Sequence, residues 1–263
     1  MNLTQIAVVL VVLTLALGFG VVLGANFGQI NEFGTVDLTE EQVLDLQFEG
    51  EYEEGDIIED ASSNENHGEL IGNASNESGG AMELSSETGH VRVDLGDDVE
   101  NDFTLTANVR NDEHGYYAGI VDGGGWRLVA PYDRYEFSND DAGVCSEMDD
   151  DGEWHYITIV RQDESVRMYV NGDLVDSSPG ADKSATNELF IGQRSGGYEF
   201  EGEISAVTLH DRALSTPEVR GMYADRSTVW PILYSDAFRS ATALALGAIA
   251  LLAARIEWRG RTT

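Results

Sequence analysis

The clearest pattern of apolar and polar positions lies in residues 152–223. The side chains of residues 154–161 alternate between two faces, one carrying Ile157 and Ile159 and the other carrying Tyr156, Thr158 and Val160. Alternation with a period of two is typical of a β-strand, because successive side chains point to opposite sides of a sheet. We therefore predict a strand here, in one layer of a two-layer sandwich.

A hairpin and a short helix are predicted after this strand. Residues 166–171 alternate again, and Asn171-Gly172 supplies the two positive φ angles of a tight hairpin turn, so residues 173–176 form the return strand. Further on, Ser215 and Glu218 are spaced as a capping box. In such a box the serine hydroxyl accepts a backbone N–H and the glutamate reaches back to the start of the helix. This spacing predicts a short helix after Ser215.

Several motifs in this region resemble the laminin-G-like, concanavalin A-like lectin family. They occur in the family's order, as Trp154-His155, Tyr169-Val170-Asn171-Gly172, Phe200-x-Gly202-x-Ile204 and Arg212-Ala213-Leu214-Ser215-x-x-Glu218. Upstream, residues 60–68 look like the family's early turn, and residues 80–84 look like the strand that follows it. The likeness covers roughly 180 residues, a normal size for one domain.

This resemblance implies an all-β fold, an antiparallel β-sandwich of the jelly-roll, concanavalin A-like type with about a dozen strands. Two positions depart from the family pattern. Ser205 stands where many relatives carry an aspartate, and Asn108 stands where relatives often have an aromatic residue. Details of metal binding and packing therefore do not carry over at these two positions.

The chain has a large excess of acidic residues, which indicates a salt-rich environment. It has 48 acidic residues against 15 basic ones, a net charge of −33, and Lys183 is its only lysine, a composition that resembles proteins of salt-loving archaea. Repulsion among these charges weakens a compact fold, but at about 1 M salt the screening length falls to roughly 3 Å. We interpret the acidity as an adaptation to salt, with a cation-capturing surface as the alternative. Nucleic acid is excluded as a partner, because this charge would repel it.

Uncharged apolar stretches predict membrane segments at both ends of the chain. Residues 6–24 are long enough to cross a hydrocarbon core of roughly 30 Å as a retained helix, and a cleaved secretory signal is the alternative. Residues 240–254 lie between Arg239 and Arg255 and precede a basic tail, which the positive-inside rule places in the cytoplasm. The alternative for this second segment is an amphipathic or buried helix.

These segments divide the chain into three parts. We expect a transmembrane helix or signal in residues 1–28, the sandwich in residues 29–228, and a second transmembrane helix with a short basic tail in residues 229–263. The sandwich then lies outside the cell, whether one segment or both span the membrane.

Three acidic residues just before the early turn form a candidate catalytic pattern. Glu54, Asp56 and Glu59 fit the Glu-x-Asp-x-x-Glu pattern of retaining glucanases that share this sandwich, in which two carboxylates about 5 Å apart act as nucleophile and acid. In so acidic a chain the spacing arises by chance, and Gly55 is poorly suited to a central strand. We expect no enzymatic activity, and a glycoside hydrolase is the least favoured alternative.

The resemblance also implies a structural Ca²⁺ ion, which some members of the family bind through loop carboxylates and carbonyls. Asp60 in the early turn and Asp211 after the closing strand are the candidate ligands of such an ion, which needs about six to eight oxygen ligands. The alternative is that Asp60 caps its own turn through an Asx hydrogen bond and that Asp211 is solvated.

A candidate ligand site lies in a short aromatic stretch of the chain, made of Trp126, Tyr132, Arg134 and Tyr135. Aromatic faces there can stack on sugar rings, and the arginine can pair with a carboxylate or a sulfate. Packing within a hairpin is the alternative.

Together these features predict a membrane-anchored module at the cell surface that recognises carbohydrate or glycoprotein in an adhesion or envelope role. A structural envelope protein without a sugar site is the alternative.

Overall fold

The structure, a computed structural model, describes much of the chain between residues 41 and 233. The described residues are 41–50, 52–72, 80–84, 89–99, 102–111, 118–139, 143–147, 152–179, 186–194 and 197–233. Their strands form two large antiparallel sheets and a two-stranded one. The predicted all-β antiparallel sandwich is confirmed.

The first large sheet, called sheet A, contains seven strands. Its order is β1 (Gln42–Gln47), β17 (Gly202–His210), β6 (Phe103–Asn111), β11 (His155–Gln162), β12 (Ser165–Val170) and β13 (Asp173–Pro179), and β4 (Met82–Leu84) also pairs with β17. The predicted strand over residues 154–161 is β11.

The second large sheet, called sheet B, contains eight strands. Its order is β10 (Gly143–Glu147), β9 (Arg134–Asn139), β8 (Trp126–Ala130), β7 (Ala118–Asp122), β14 (Thr186–Ile191), β5 (His90–Val99), β3 (Gly68–Ile71) and β2 (Ile57–Ile58). The two-stranded sheet pairs β15 (Gln193–Arg194) with β16 (Tyr198–Glu199), and the helix α1 is Thr216–Leu233.

The main hydrophobic core lies between the inner faces of the two sheets. It includes Leu105, Ile157 and Ile159 from sheet A and Val91, Leu128 and Phe137 from sheet B, all at most 1% exposed. Burying one such side chain contributes roughly 1.5–3 kcal/mol, so this layer is the main source of stability.

A second apolar cluster covers the outer face of sheet A. Val160 and Tyr169 of sheet A pack there against Leu214 and Val219, which belong to the segment that leads into α1 and to α1 itself. Because of this cover, β11 is buried on both faces up to Arg161. The two faces alternate as predicted, but the outer one is shielded by residues about fifty positions further along the chain.

The predicted hairpin and capping box are both present. Asn171 and Gly172 have φ angles of 52° and 81° and connect β12 to β13, as a tight turn requires. At the start of α1, one carboxylate oxygen of Glu218 accepts the N–H of Ser215 at 2.6 Å and its hydroxyl at 2.7 Å. The serine hydroxyl therefore donates to the glutamate, whereas we had expected it to accept a backbone N–H.

The two departures from the family pattern form a hydrogen bond with each other. Nδ2 of Asn108 donates to Oγ of Ser205 at 2.7 Å, and Ser205 is fully buried where β17 shifts register against β6. An isolated buried hydroxyl would be costly, so the amide at position 108 compensates for the serine at position 205.

No helix within the described residues is both long enough and apolar enough to cross a membrane. The predicted membrane segments, residues 6–24 and 240–254, lie outside those residues. The helix α1 itself continues to Leu233, past the predicted end of the sandwich at residue 228.

Candidate functional site

The three candidate catalytic carboxylates lie at an edge of sheet B. Glu54 and Gly55 are in a turn, Asp56 follows that turn and accepts the N–H of Glu53 at 2.8 Å, and Glu59 comes after the two-residue strand β2. All three acidic side chains are exposed. A retaining mechanism needs two carboxylates that flank one bond in a fixed geometry, and these three do not share a continuous strand face.

The carboxylate of Asp60 is fully engaged by its own turn. Oδ1 accepts the N–H groups of Asp45 and Ser62 at 2.8 and 2.9 Å, and Oδ2 accepts the Ser62 hydroxyl at 2.7 Å and the Asn66 N–H at 2.9 Å. A carboxylate offers about four acceptor sites, so little capacity remains for a cation. This is the Asx arrangement that we gave as the alternative to a metal ligand.

The structure therefore does not support a calcium centre at the candidate ligands. The side chain of Asp211 is exposed, and its backbone N–H donates to the carbonyl oxygen of Glu41 at 2.9 Å. Among the described residues, no three His, Cys, Asp or Glu side chains are grouped as metal ligands would be. The donors present do not fit an ion that needs about six to eight oxygens.

The candidate ligand-binding stretch is divided between the core and the surface. The ring of Trp126 packs against Phe103 and Phe137, with centroids 5.1 and 5.8 Å away, and Trp126 is 2% exposed. The hydroxyl of Tyr135 forms a hydrogen bond of 2.9 Å with Nδ1 of His155, and both side chains are buried. These two aromatic residues are thus part of the hairpin packing.

The other two candidates of that stretch lie at the surface. Tyr132 is 52% exposed and has a φ of 53° in the turn between β8 and β9. Arg134 forms an ion pair with Glu136 at 3.3 Å. Tyr132 and Arg134 remain candidates for ligand contact, whereas Trp126 and Tyr135 do not share a surface with them.

A different pair of residues combines an exposed ring with an arginine. Arg194 and Tyr198 are cross-strand partners in the β15–β16 sheet, and the guanidinium carbon of Arg194 lies 5.3 Å from the centroid of the Tyr198 ring. Tyr198 is 40% exposed, and Arg194 is partly buried. We call residues 193–194 and 198–199 the Arg194–Tyr198 hairpin.

This hairpin is fixed by backbone contacts to sheet B. The N–H of Gly192 donates to the carbonyl oxygen of Ile120 in sheet B, and the N–H of Phe200 donates to the carbonyl oxygen of Gly192, both at 2.9 Å. A Cβ atom on Gly119 would lie 2.3 Å from the backbone nitrogen of Arg194, so only glycine allows this close approach. The pair is therefore held on rigid elements, as a binding site requires.

The neighbours of the hairpin include a neutral histidine. The ring of His90 lies 5.7 Å from the ring of Phe190, and Nε2 of Gln193 donates to Glu199 at 3.3 Å. Burial lowers the pKa of His90 below its ordinary value, although the charge of Glu199 acts in the opposite direction. The hairpin thus carries the guanidinium of Arg194 beside the Tyr198 ring on one face and the carboxylate of Glu199 beside Gln193 on the other.

The sequence analysis missed this hairpin. The available signal was an arginine and a tyrosine separated by Ser195-Gly196-Gly197, immediately before the Phe200-x-Gly202 motif. Glycine-rich residues between a cation and an aromatic residue indicate a turn that places the two side by side. The predicted ligand site was instead the aromatic stretch, in which two of the four candidate residues, Trp126 and Tyr135, are buried in the core.

Comparison with known proteins agrees with the fold. The family model Laminin_G_3, described as the concanavalin A-like lectin/glucanases superfamily, matches residues 85–220, just over half of the chain. No curated protein matches the chain.

Several solved structures are similar to the chain. The binding domain of botulinum neurotoxin serotype D has a TM-score of 0.61 at 16% identity, covering 73% of this chain and 53% of that one. The binding domain of Paraclostridial Mosquitocidal Protein 1 has a TM-score of 0.60 at 17% identity, covering 72% and 53%. The binding domain of botulinum neurotoxin DC, in complex with rat synaptotagmin II, has a TM-score of 0.57 at 14% identity, covering 72% and 52%. This chain spans about half the length of these chains, and the likeness is one of fold.

Proposed function

This chain belongs to the concanavalin A-like lectin/glucanases superfamily, and on that premise we propose that it is a recognition module that binds glycan or glycoprotein without catalysing a reaction. The similar solved structures support a binding role, because they are binding domains of toxins and of a mosquitocidal protein. The arrangement of Glu54, Asp56 and Glu59 supports the absence of catalysis, because their exposed side chains are not gathered on one strand face.

One observation carries the location of the binding surface. Tyr198 presents an exposed ring that is already stacked against a guanidinium, on a hairpin whose backbone is tied to sheet B. Sugar rings present C–H groups on their faces, and they pack on aromatic rings whose orientation is fixed in advance. The proposed seat of binding is therefore the Arg194–Tyr198 hairpin.

The sequence supports a location of this module at the outer surface of a cell membrane. Residues 6–24 and 240–254 act as membrane anchors in this proposal, the sandwich lies outside the cell, and the arginine-rich tail lies inside. The charge of −33 fits an organism with a salt-rich environment, of haloarchaeal type. The ligand is then a glycan of the same cell's envelope or of a neighbouring cell.

A structural envelope role is favoured by a different surface. The edge strand β13 exposes Leu174 and Val175, which are 50% and 45% exposed. Exposed apolar side chains on an edge strand provide a place for another protein to pair. A protein that binds no glycan but assembles with other envelope proteins through this edge would match this second candidate.

A glycan array with the purified full chain in multimolar KCl separates these candidates. We expect selective binding by the wild type, and a loss of about tenfold or more in affinity for the Tyr198→Ala variant, because stacking on the ring is removed. The Tyr132→Ala variant removes the exposed tyrosine of the competing candidate surface, the turn between β8 and β9, and should keep wild-type binding. Adding a calcium chelator should change nothing, because Asp60 and Asp211 do not fit an ion.

Two results of this array would contradict the proposal. A blank array from a folded wild-type chain would favour the structural role. Equal binding by the wild type and the Tyr198→Ala variant, with a loss in the Tyr132→Ala variant, would move the binding surface to the turn between β8 and β9.

A further inference from the structure

Arg194 differs from several other arginines of the described residues in having no carboxylate partner among those residues. Arg92, Arg134 and Arg212 form ion pairs with carboxylates at 2.6 to 3.3 Å. In the part of the chain that the structure describes, no carboxylate lies within ion-pair distance of Arg194. Its Nε atom is buried and donates no hydrogen bond there.

This lack of a partner is unexpected for the composition. With 48 acidic residues for 15 basic ones, a carboxylate is available for almost any arginine, as the double pairing of Arg212 with Glu41 and Glu218 illustrates. Arg127 and Arg167 also lack a carboxylate partner among the described residues, but neither of these two guanidinium groups contacts an aromatic ring there. Arg194 alone of these three combines an unpaired charge with an exposed ring.

The nearest carboxylate of the hairpin is directed elsewhere. Glu199 pairs with Gln193 and interacts electrostatically with His90. Because neighbouring residues of a strand point to opposite sides, Glu199 and Tyr198 lie on opposite faces of the hairpin. The face with Arg194 and Tyr198 therefore keeps a positive charge in a strongly negative molecule.

From this arrangement we infer that the hairpin recognises an acidic sugar, a pyranose ring that carries a carboxylate, with the ring stacked on Tyr198 and the carboxylate bound by Arg194. This inference rests on the proposed glycan-binding function. The guanidinium is a planar fork that matches a carboxylate with two parallel hydrogen bonds. In a uronic acid the carboxylate is attached to the ring itself, so one residue of ligand can reach both side chains at once.

Salt decides whether an acidic ligand can approach this protein. The net charge of −33 repels an anion over long range at low ionic strength. At about 1 M salt the screening length of roughly 3 Å removes most of this repulsion, while a direct contact between guanidinium and carboxylate persists at hydrogen-bond distance. The site is therefore suited to a negative ligand under the conditions that the composition indicates.

The test measures binding of the full chain in multimolar KCl to oligomers of galacturonate, glucuronate and mannuronate, each paired with its methyl ester. Esterification removes the charge and keeps the sugar ring. We expect at least one acid to bind about tenfold more tightly than its ester, as a hydrogen bond to a charged group implies. The Arg194→Gln variant should abolish this preference and keep the affinity for the ester, and Arg194→Lys should restore part of it.

The control is Arg167→Gln, which removes an arginine that also lacks a carboxylate partner but lies away from the hairpin on β12. Near-ultraviolet circular dichroism of each variant shows that the fold is kept. Equal binding of acids and esters by the wild type, or a preference that survives in Arg194→Gln, would overturn the inference.

Binding to neutral glycans distinguishes a failure of the acidic-sugar inference from a failure of the proposed glycan-binding function. If acids and esters bind equally, while neutral glycans bind and the Tyr198→Ala variant loses them, the proposed function stands although the acidic ligand does not. If neither neutral nor acidic glycans bind the folded chain, both the inference and the proposed function are wrong.

Discussion

At the scale of single residues, one hydrogen bond crosses the core of the sandwich. Tyr135 belongs to sheet B and His155 to sheet A, and their side chains meet at 2.9 Å with the two rings nearly perpendicular at 74°. A polar contact between the sheets helps to fix their relative position, because a buried hydroxyl and a buried imidazole stabilise each other in an apolar layer.

The Tyr135→Phe variant tests this contact. It keeps the ring and removes only the hydroxyl, so we expect the free energy of unfolding to fall by about 1–3 kcal/mol, since Nδ1 of His155 then lacks this buried partner. Chemical unfolding at one fixed, high salt concentration measures the change. Tyr132→Phe, at an exposed position, is the control and should alter stability by less than about 0.5 kcal/mol. An equal effect of both substitutions would mean that the bridge does not stabilise the fold.

At the scale of elements, the capping box ties the helix α1 to the sandwich. Arg212 donates to Glu218 at 2.9 Å and to Glu41, which precedes β1, at the same distance. Burial alone would raise the pKa of Glu218, but hydrogen bonds from Arg212 and from the N–H and hydroxyl of Ser215 outweigh it and lower the pKa below the ordinary value of 4.5. The folded state thus stabilises the ionised carboxylate of Glu218 relative to its protonated form.

This lowered pKa predicts how the cap depends on pH. Its contribution to stability is fully present above the ordinary pKa of 4.5 and is lost as the pH falls through the lowered pKa of the folded state. A Glu218→Gln variant should be less stable by about 1 kcal/mol at neutral pH, and the difference should narrow below pH 4.5. The measurement is chemical unfolding at a series of pH values and constant salt. Glu164→Gln, at an exposed residue, is the control, and a gap that stays constant with pH would contradict this account.

Elements that depend on neighbours in sequence could be predicted. The turn at Asn171-Gly172 follows from the preference of its two residues for positive φ, and the capping box follows from the spacing of Ser215 and Glu218. Neither required knowledge of the rest of the molecule.

Contacts between distant segments could not be predicted in this way. The burial of Val160 depends on Leu214 and Val219, which no local pattern connects to it. Trp126 and Tyr135 were candidate ligand residues because they lie in a short aromatic stretch, but such a stretch does not show which of its side chains face the core. The pairing of Arg194 with Tyr198 depends on the register of a hairpin only two residues long on each side.

At the scale of the whole molecule, the net charge and the proposed binding surface have separate roles. The acidic residues are spread over the chain and govern solubility and salt dependence, whereas recognition is assigned to one small hairpin that keeps a positive charge. Because charge acts over long range only when salt is low, binding has to be measured in multimolar KCl, where the local contacts remain.

The most direct test of the central claim is hydrogen exchange of the full chain in multimolar KCl, with and without the strongest-binding glycan of the array. We expect slower amide exchange in residues 190–199 and in the adjoining parts of β5 and β7, with no change in residues 54–60. Slower exchange confined to residues 131–135 or to residues 54–60, with none in the Arg194–Tyr198 hairpin, would contradict it.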